Sequence, residues 1–183
     1  MYQYFILVPI ILCSLLTGCA TVSVYDVNPS YERVSNDYFD ILLEPQPAAG
    51  QHYFNSFRFV IINKTDKPIN LDWQNTNYIC NGSKAGQFGW DKMTFGDLKE
   101  VRENPHRTID GGSTKTAIIF PIKLLARMDL SHRARLGGPG PEGQFELGPL
   151  PSGENGMRLT VIQNGKQIQE TITFNIEKTE LKK

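Results

Sequence analysis

Histidine is scarce, and what there is stands badly placed for metal chemistry. The three residues, His52, His106 and His132, never fall at the H-x-x-x-H, H-x-H or H-E-x-x-H spacings that bring two imidazoles onto one ion. No G-x-S-x-G elbow and no S-x-x-K is present, which excludes the common serine nucleophiles. The glycine-rich run GGPGPEG at 137–143 lacks the lysine and the strand-to-helix setting of a phosphate-binding loop. Asp91, Asp97, Glu100 and Glu103 share one segment, but nothing in the sequence pairs them, and they are expected to face solvent. No catalytic set, no cofactor motif and no metal site is therefore expected. Excess charge is missing as well: 19 basic residues balance 19 acidic ones. That removes the basic footprint of a nucleic-acid binder and argues against whole-domain attraction to acidic lipid.

Only one long apolar run exists, and it stands first. Residues 1–16, MYQYFILVPIILCSLL, contain no charged side chain. The apolar stretch at 5–12 is too short for a membrane span, which needs about 20 residues. It has the length and position of a secretory leader, with small residues after it. The tetrapeptide LTGC at 16–19 then resembles the lipobox of bacterial lipoproteins, a branched apolar residue and two small ones ahead of a cysteine. The resemblance implies a signal peptide of residues 1–18, cleavage after Gly18, and acylation of Cys19 as the new first residue. Each buried methylene contributes about 0.8 kcal/mol, so two or more chains anchor stably where one holds only reversibly. Ala20 occupies the place where an aspartate typically retains such proteins at the inner membrane. The resemblance thus implies an outer-membrane lipoprotein facing the periplasm, its membrane partner reached through Cys19. With the leader removed and Cys19 capped, Cys80 alone remains in the mature chain, so no internal disulfide forms and the core must hold the fold. Cys80 itself, in NYICNG, is read as a small buried hydrophobe.

Residues 19–36, polar and interrupted by Pro29, read as a tether with a reach of roughly 20–25 Å. Residues 37–178 form one domain, large enough to bury about two-thirds of its unfolded surface, and 179–183 a solvated basic tail. Within the domain, SFRFVIINKTDKPINLDW at 56–73 alternates apolar and polar positions on either side of a polar turn, which predicts a hairpin. MRLTVIQ and KQIQETITFNIE flank Asn164-Gly165, the strongest short hairpin signal, because a type I′ turn needs positive φ at both positions. KTAIIFPI at 115–122 and YFDILLEP at 38–45 are further strands, the latter a candidate edge strand, and TNYIC a weaker one. Two short helices are expected, at 95–104 and in PIKLLARMDL, which opens on Pro121. About seven strands with long loops and at most one or two short helices predict an all-β antiparallel sandwich. In strand number and spacing it resembles the immunoglobulin-like architecture, without the Cys…Trp…Cys signature of antibody domains.

Two segments carry binding potential. GQFGWDKMTFGD at 86–97 sets Phe88, Trp90, Met93 and Phe95 among glycines in an expected loop, as on recognition surfaces or as a lid over the core. KLLARMDLSHRARLGGPGPEG brings Lys123, Arg127, His132, Arg133 and Arg135 into one basic region suited to phosphate or carboxylate groups. The sequence therefore points to a non-catalytic interaction or accessory module of the cell envelope, contacting an envelope protein partner through its loops. A small-ligand or glycan-binding lipoprotein using 86–97 is the alternative.

Overall fold

Alternation along the longest strands dictates two inner faces. In β4 (Phe54–Asn63), Phe57, Phe59 and Ile61 are buried while Ile62 is exposed. β3 (Phe39–Pro47) buries Phe39, Ile41 and Leu43 on the same side. Facing them, β13 (Gly153–Gln163) buries Met157, Leu159 and Val161, and β14 (Lys166–Lys182) buries Ile172, Phe174 and Ile176. The computed structural model describes residues 21–93, 97, 104–127 and 145–182. It is an all-β sandwich of two antiparallel sheets. Phe57 and Phe174 meet across the sheets with ring centroids 5.5 Å apart. Each fully buried Phe, Leu or Ile contributes about 1.5–3 kcal/mol, so this interior rather than any cross-link carries the fold.

The first sheet runs β1 (Thr21–Asn28), β14, β13, β5 (Ile69–Leu71) and β9 (Thr108–Ile109), with β6 (Asn77–Cys80) also on β13 and β7 (Ser83–Lys84) on β6. The second runs β2 (Glu32–Ser35), β3, β4, β10 (Thr114–Pro121) and β8 (Phe88–Trp90). A small separate ribbon pairs β11 (Leu125–Arg127) with β12 (Phe145–Leu147). Among the described residues fourteen strands thus replace the seven or so expected, because several are segments of two to four residues without a readable period.

The hairpin at Asn164-Gly165 forms as expected, with φ of 50° and 75° at its two turn residues and Gln163 opposite Lys166. The expected hairpin at 56–73 does not. β4 lies in one sheet and β5 in the other, so the turn after Asn63 carries the chain across the sandwich. Asn63, only 1% exposed, makes that crossing possible. Its Nδ2 donates to the carbonyls of Lys67, Ile109 and Asp110, and its Oδ1 accepts from the backbone and hydroxyl of Thr65. Gln163 Nε2 then donates to the same Thr65 hydroxyl at 2.8 Å, tying the turn to β13.

Residues 21–35 are not a tether. β1 pairs with β14 from Thr21↔Lys182 to Asn28↔Asn175, and β2 pairs with β3. The reason lies in β14, which runs past its last pairing with β13 at Gly153↔Ile176 and would otherwise leave an open backbone edge. β1 covers it, and Tyr25 and Val27 pack on the core. The expected basic tail is accordingly the end of β14 through Lys182. β3 is an interior strand between β2 and β4, not an edge. Behind Pro121 there is a single 3-10 turn, Ile122–Leu124, after which the chain extends into β11. The expected helix at 95–104 lies almost wholly outside the described residues. Cys80 is free and half-buried, on β6 opposite Asn155.

One ion cluster braces β2 against β3. Arg33 Nη2 lies 2.8 Å from Asp40 Oδ2 and Lys64 Nζ 3.4 Å from Asp40 Oδ1. Hydrogen bonding from Ser35, then from Arg33 and Lys64, lowers the Asp40 carboxyl to about 2. A carboxyl depressed in the folded state stabilises above its unfolded value of about 4, and that stabilisation disappears as pH falls toward 2. Asp40→Asn should therefore melt below the parent at neutral pH, with the gap closing between about pH 4 and pH 2. Thermal scans along that range check it; a gap of constant size would assign the difference to something other than charge.

Candidate functional site

A sandwich leaves two lateral seams where its sheets are not joined. On one side Asn36 Nδ2 donates to Glu170 Oε1 at 2.9 Å, linking the turn after β2 to β14. On the other, β8 ends one sheet while β5 and β9 end its partner, and a cavity of about 760 Å³ opens along this seam. The volume lies within the roughly 300–1,000 Å³ of small-ligand sites.

One wall comes from a break in the pairing on β13. β5 and β6 both lie along that strand, separated by residues 72–76, which leave the strand ladder in a bulge. Thr160 holds the bulge at three points. Its carbonyl accepts from Asp72 N at 2.9 Å, its hydroxyl donates to Asn75 O at 3.0 Å, and its N–H donates to Thr76 Oγ1 at 3.1 Å. The Asp72 carboxylate closes the turn on Asn75, accepting from its N–H at 3.1 Å and its Nδ2 at 2.7 Å. Trp73, projected from this turn, lies edge-on to Phe59 with centroids 5.8 Å apart, and its Nε1 donates to His106 O at 3.1 Å. It is a fixed wall.

Trp90 belongs to the opposite wall, on β8, where its backbone pairs with Ile119. The side chain is half-buried, lines the cavity beside Met93, and has no hydrogen-bond or ring partner among the described residues. Phe88, two residues earlier, is 4% exposed and packs edge-on against Phe57 and Tyr78 at 6.1 and 6.0 Å. The expected aromatic loop is thus divided: Phe88 is core and reaches the cavity only from its inner wall, whereas Trp90 is half-buried and lines it. Phe95, Arg133, Arg135 and Cys19 lie outside the described residues.

The segment leading into β9 completes the site. Arg107 O accepts from Leu71 N at 2.7 Å, laying this segment along β5. Asn104 is 6% exposed and lines the cavity. Its Oδ1 accepts from His106 N at 2.9 Å, which fixes the orientation of the amide and leaves Nδ2 as a buried donor with no partner among the described residues. His106 Nδ1 is likewise buried without a partner among the described residues. Burial lowers the His106 pKa, the positive charge of Lys115 lowers it further, and Asp91 opposes both. His106 therefore stays neutral to a lower pH than a free imidazole does. His52 sits apart, between β3 and β4, where its carbonyl accepts from Tyr25 N at 3.1 Å. Among the described residues, no three His, Cys, Asp or Glu side chains converge as metal ligands.

Trp73, Asn104 and Arg107 did not stand out in the sequence. Trp73 reads there as the end of an alternating strand and Asn104 as the residue before Pro105 that ends a helix. No protein-family model, no curated protein and no solved structure matches this chain.

Proposed function

We propose that this protein is a lipid-anchored, non-catalytic binding module of the bacterial envelope, held through acylated Cys19 and taking a small ligand in the cavity beside Trp90. The observation that carries the ligand half is Asn104 Nδ2, a buried donor that no described residue pairs, in the wall of a cavity. A donor so placed costs about 1–3 kcal/mol while it stays empty-handed, and a bound acceptor removes that cost. The anchor half rests on LTGC at 16–19 behind an uncharged apolar leader. Contact with a protein partner through the basic region around Arg133 and Arg135 has less behind it, since Phe88, one of the three aromatics read as contact residues with Trp90 and Phe95, is core.

Two measurements test the two halves. Mass spectrometry of the natively expressed protein should find Cys19 first and acylated; a retained leader or an unmodified thiol ends the envelope reading. Both tryptophans of the chain line the cavity, so intrinsic emission reports on it directly. A low-molecular-weight extract of the envelope should change that emission saturably in the parent and not in Trp90→Ala, with melting temperatures nearly equal. No response from the parent, together with a large loss of melting temperature in the variant, would make Trp90 a packing residue and remove the ligand reading.

A further inference from the structure

Resting on the cavity as a binding site, we infer that its ligand is a neutral saccharide, bound with one ring face on Trp90 and a ring oxygen or acyl oxygen accepting from Asn104 Nδ2. Three properties of the walls lead there. The first is that Trp90 adds a flat ring to an apolar wall shared with Leu71, Phe88, Met93 and Ile162, and no aromatic neighbour stacks on it among the described residues. Trp73 differs in this respect, because its ring packs on Phe59 and its indole N–H is spent on His106 O. A surface that is apolar on one side and polar around its edge matches a pyranose, whose C–H groups form a face and whose hydroxyls form a rim.

The second property is the kind of polar group present. Around the cavity stand the amides of Asn70, Gln74, Gln87 and Asn104. Amides carry both donor and acceptor atoms, and so do hydroxyls, so each sugar hydroxyl finds either role filled. Some of this capacity is already committed: Asn70 Oδ1 accepts from Thr108 Oγ1 at 2.9 Å, and Gln87 Nε2 donates to Gln74 O at 3.2 Å. Those bonds hold the rim in position and leave the complementary atoms of the same amides for a ligand. Asn104 is the exception, buried rather than on the rim, with its acceptor committed to His106 N and its donor open. It selects an oxygen that reaches inward.

The third property is charge. The charged groups on the described walls are Asp72, Asp97 and Arg107. Asp72 is engaged with Asn75, and the set contains no cluster of one sign able to replace the hydration of a phosphate or an ammonium ion. A strongly charged ligand is therefore disfavoured, and so is a purely apolar one, which would bury Asn104 Nδ2 permanently unpaired.

The test is titration of the purified mature protein, in detergent, with diacetylchitobiose, cellobiose and maltose, read by tryptophan emission and calorimetry. Inorganic phosphate and the apolar dye anilinonaphthalene sulfonate serve as contrasting probes. Saturable binding of at least one disaccharide is expected, weakened about tenfold or more in Trp90→Ala and in Asn104→Asp. The second variant keeps the acceptor for His106 N but exchanges the donor for a carboxyl oxygen whose charge is costly to bury, so its melting temperature is measured beside its binding. If the dye or phosphate binds, is lost in both variants, and no disaccharide does, the saccharide assignment is overturned while the cavity remains a ligand site. If no probe binds and both variants change only the melting temperature, the site and its ligand class fall together. Disaccharide binding indifferent to both substitutions would also overturn the assignment.

Discussion

Gly156→Ala should unfold much of this protein's stability margin without touching the cavity. Gly156 lies on β13 between two partners, opposite Thr173 of β14 and Ile79 of β6. A methyl group added there would stand 2.0 Å from Ile172 O and 2.8 Å from Thr173 Cα. Both are backbone atoms in the longest ladder of the fold, so no side chain can swing aside to make room. The ladder must separate or shift, at a cost of about 3 kcal/mol or more. For a chain of this size that lowers the melting temperature by roughly 10 °C. Calorimetry or a denaturant titration checks it, and a loss below about 1 kcal/mol would mean that the two strands separate freely at this point. Gly165→Ala makes a useful contrast. Its Cβ would meet nothing within 4 Å, and the strain comes only from a φ of 75°, so the loss should be nearer 1 kcal/mol.

Asn63→Ala should rival that effect by a different route. The carboxamide makes three bonds to carbonyls and two to Thr65, all at the one place where the chain passes from one sheet to the other. Truncation removes all five bonds at once, and each partner left buried without a replacement, the Ile109 carbonyl first, costs about 1–3 kcal/mol. A total of about 3–5 kcal/mol is expected once partial relaxation is allowed for. Proteolysis should sharpen the result, since local opening at 63–68 ought to expose that turn before the hairpin at Asn164-Gly165. A variant as stable as the parent would show that water or a shifted backbone replaces the side chain at no cost.

These two positions also mark the limit of what the sequence discloses. The strands with clear alternation, around Ile61, Ile119 and Phe174, were readable because side-chain direction alternates strictly along extended backbone. The turn at Asn164-Gly165 was readable because it is a local event with a local requirement. The turn at Asn63 looked similar, with polar residues and a proline, but turn chemistry states only that the chain reverses. Which sheet receives the next strand depends on Ile109 and Asp110, more than forty residues away, whose carbonyls accept from Asn63. β1 was missed for the same reason: its partners lie near the other end of the chain, and a half-exposed edge strand shows only a blurred alternation. The cavity was half visible. Trp90 stood out as an aromatic among glycines, whereas Asn104 acquires meaning only once its oxygen is seen to be engaged and its nitrogen is not.

The pairing of β1 with β14 changes how the proposed anchor would behave. Only Ala20 separates Cys19 from Thr21, so the slack between lipid and folded backbone is about two residues, or roughly 7 Å when taut. Beyond it stand the pairs from Thr21↔Lys182 to Asp26↔Glu177, a ladder that no third strand among the described residues joins in its own sheet and that is braced by Tyr25 N on His52 O. A rope lets its load turn in any direction, whereas a strut transmits orientation as well as distance. Acylated at Cys19, the sandwich would stand on the bilayer in a restricted attitude, with its cavity on the flank away from β1 and open to whatever passes alongside the membrane.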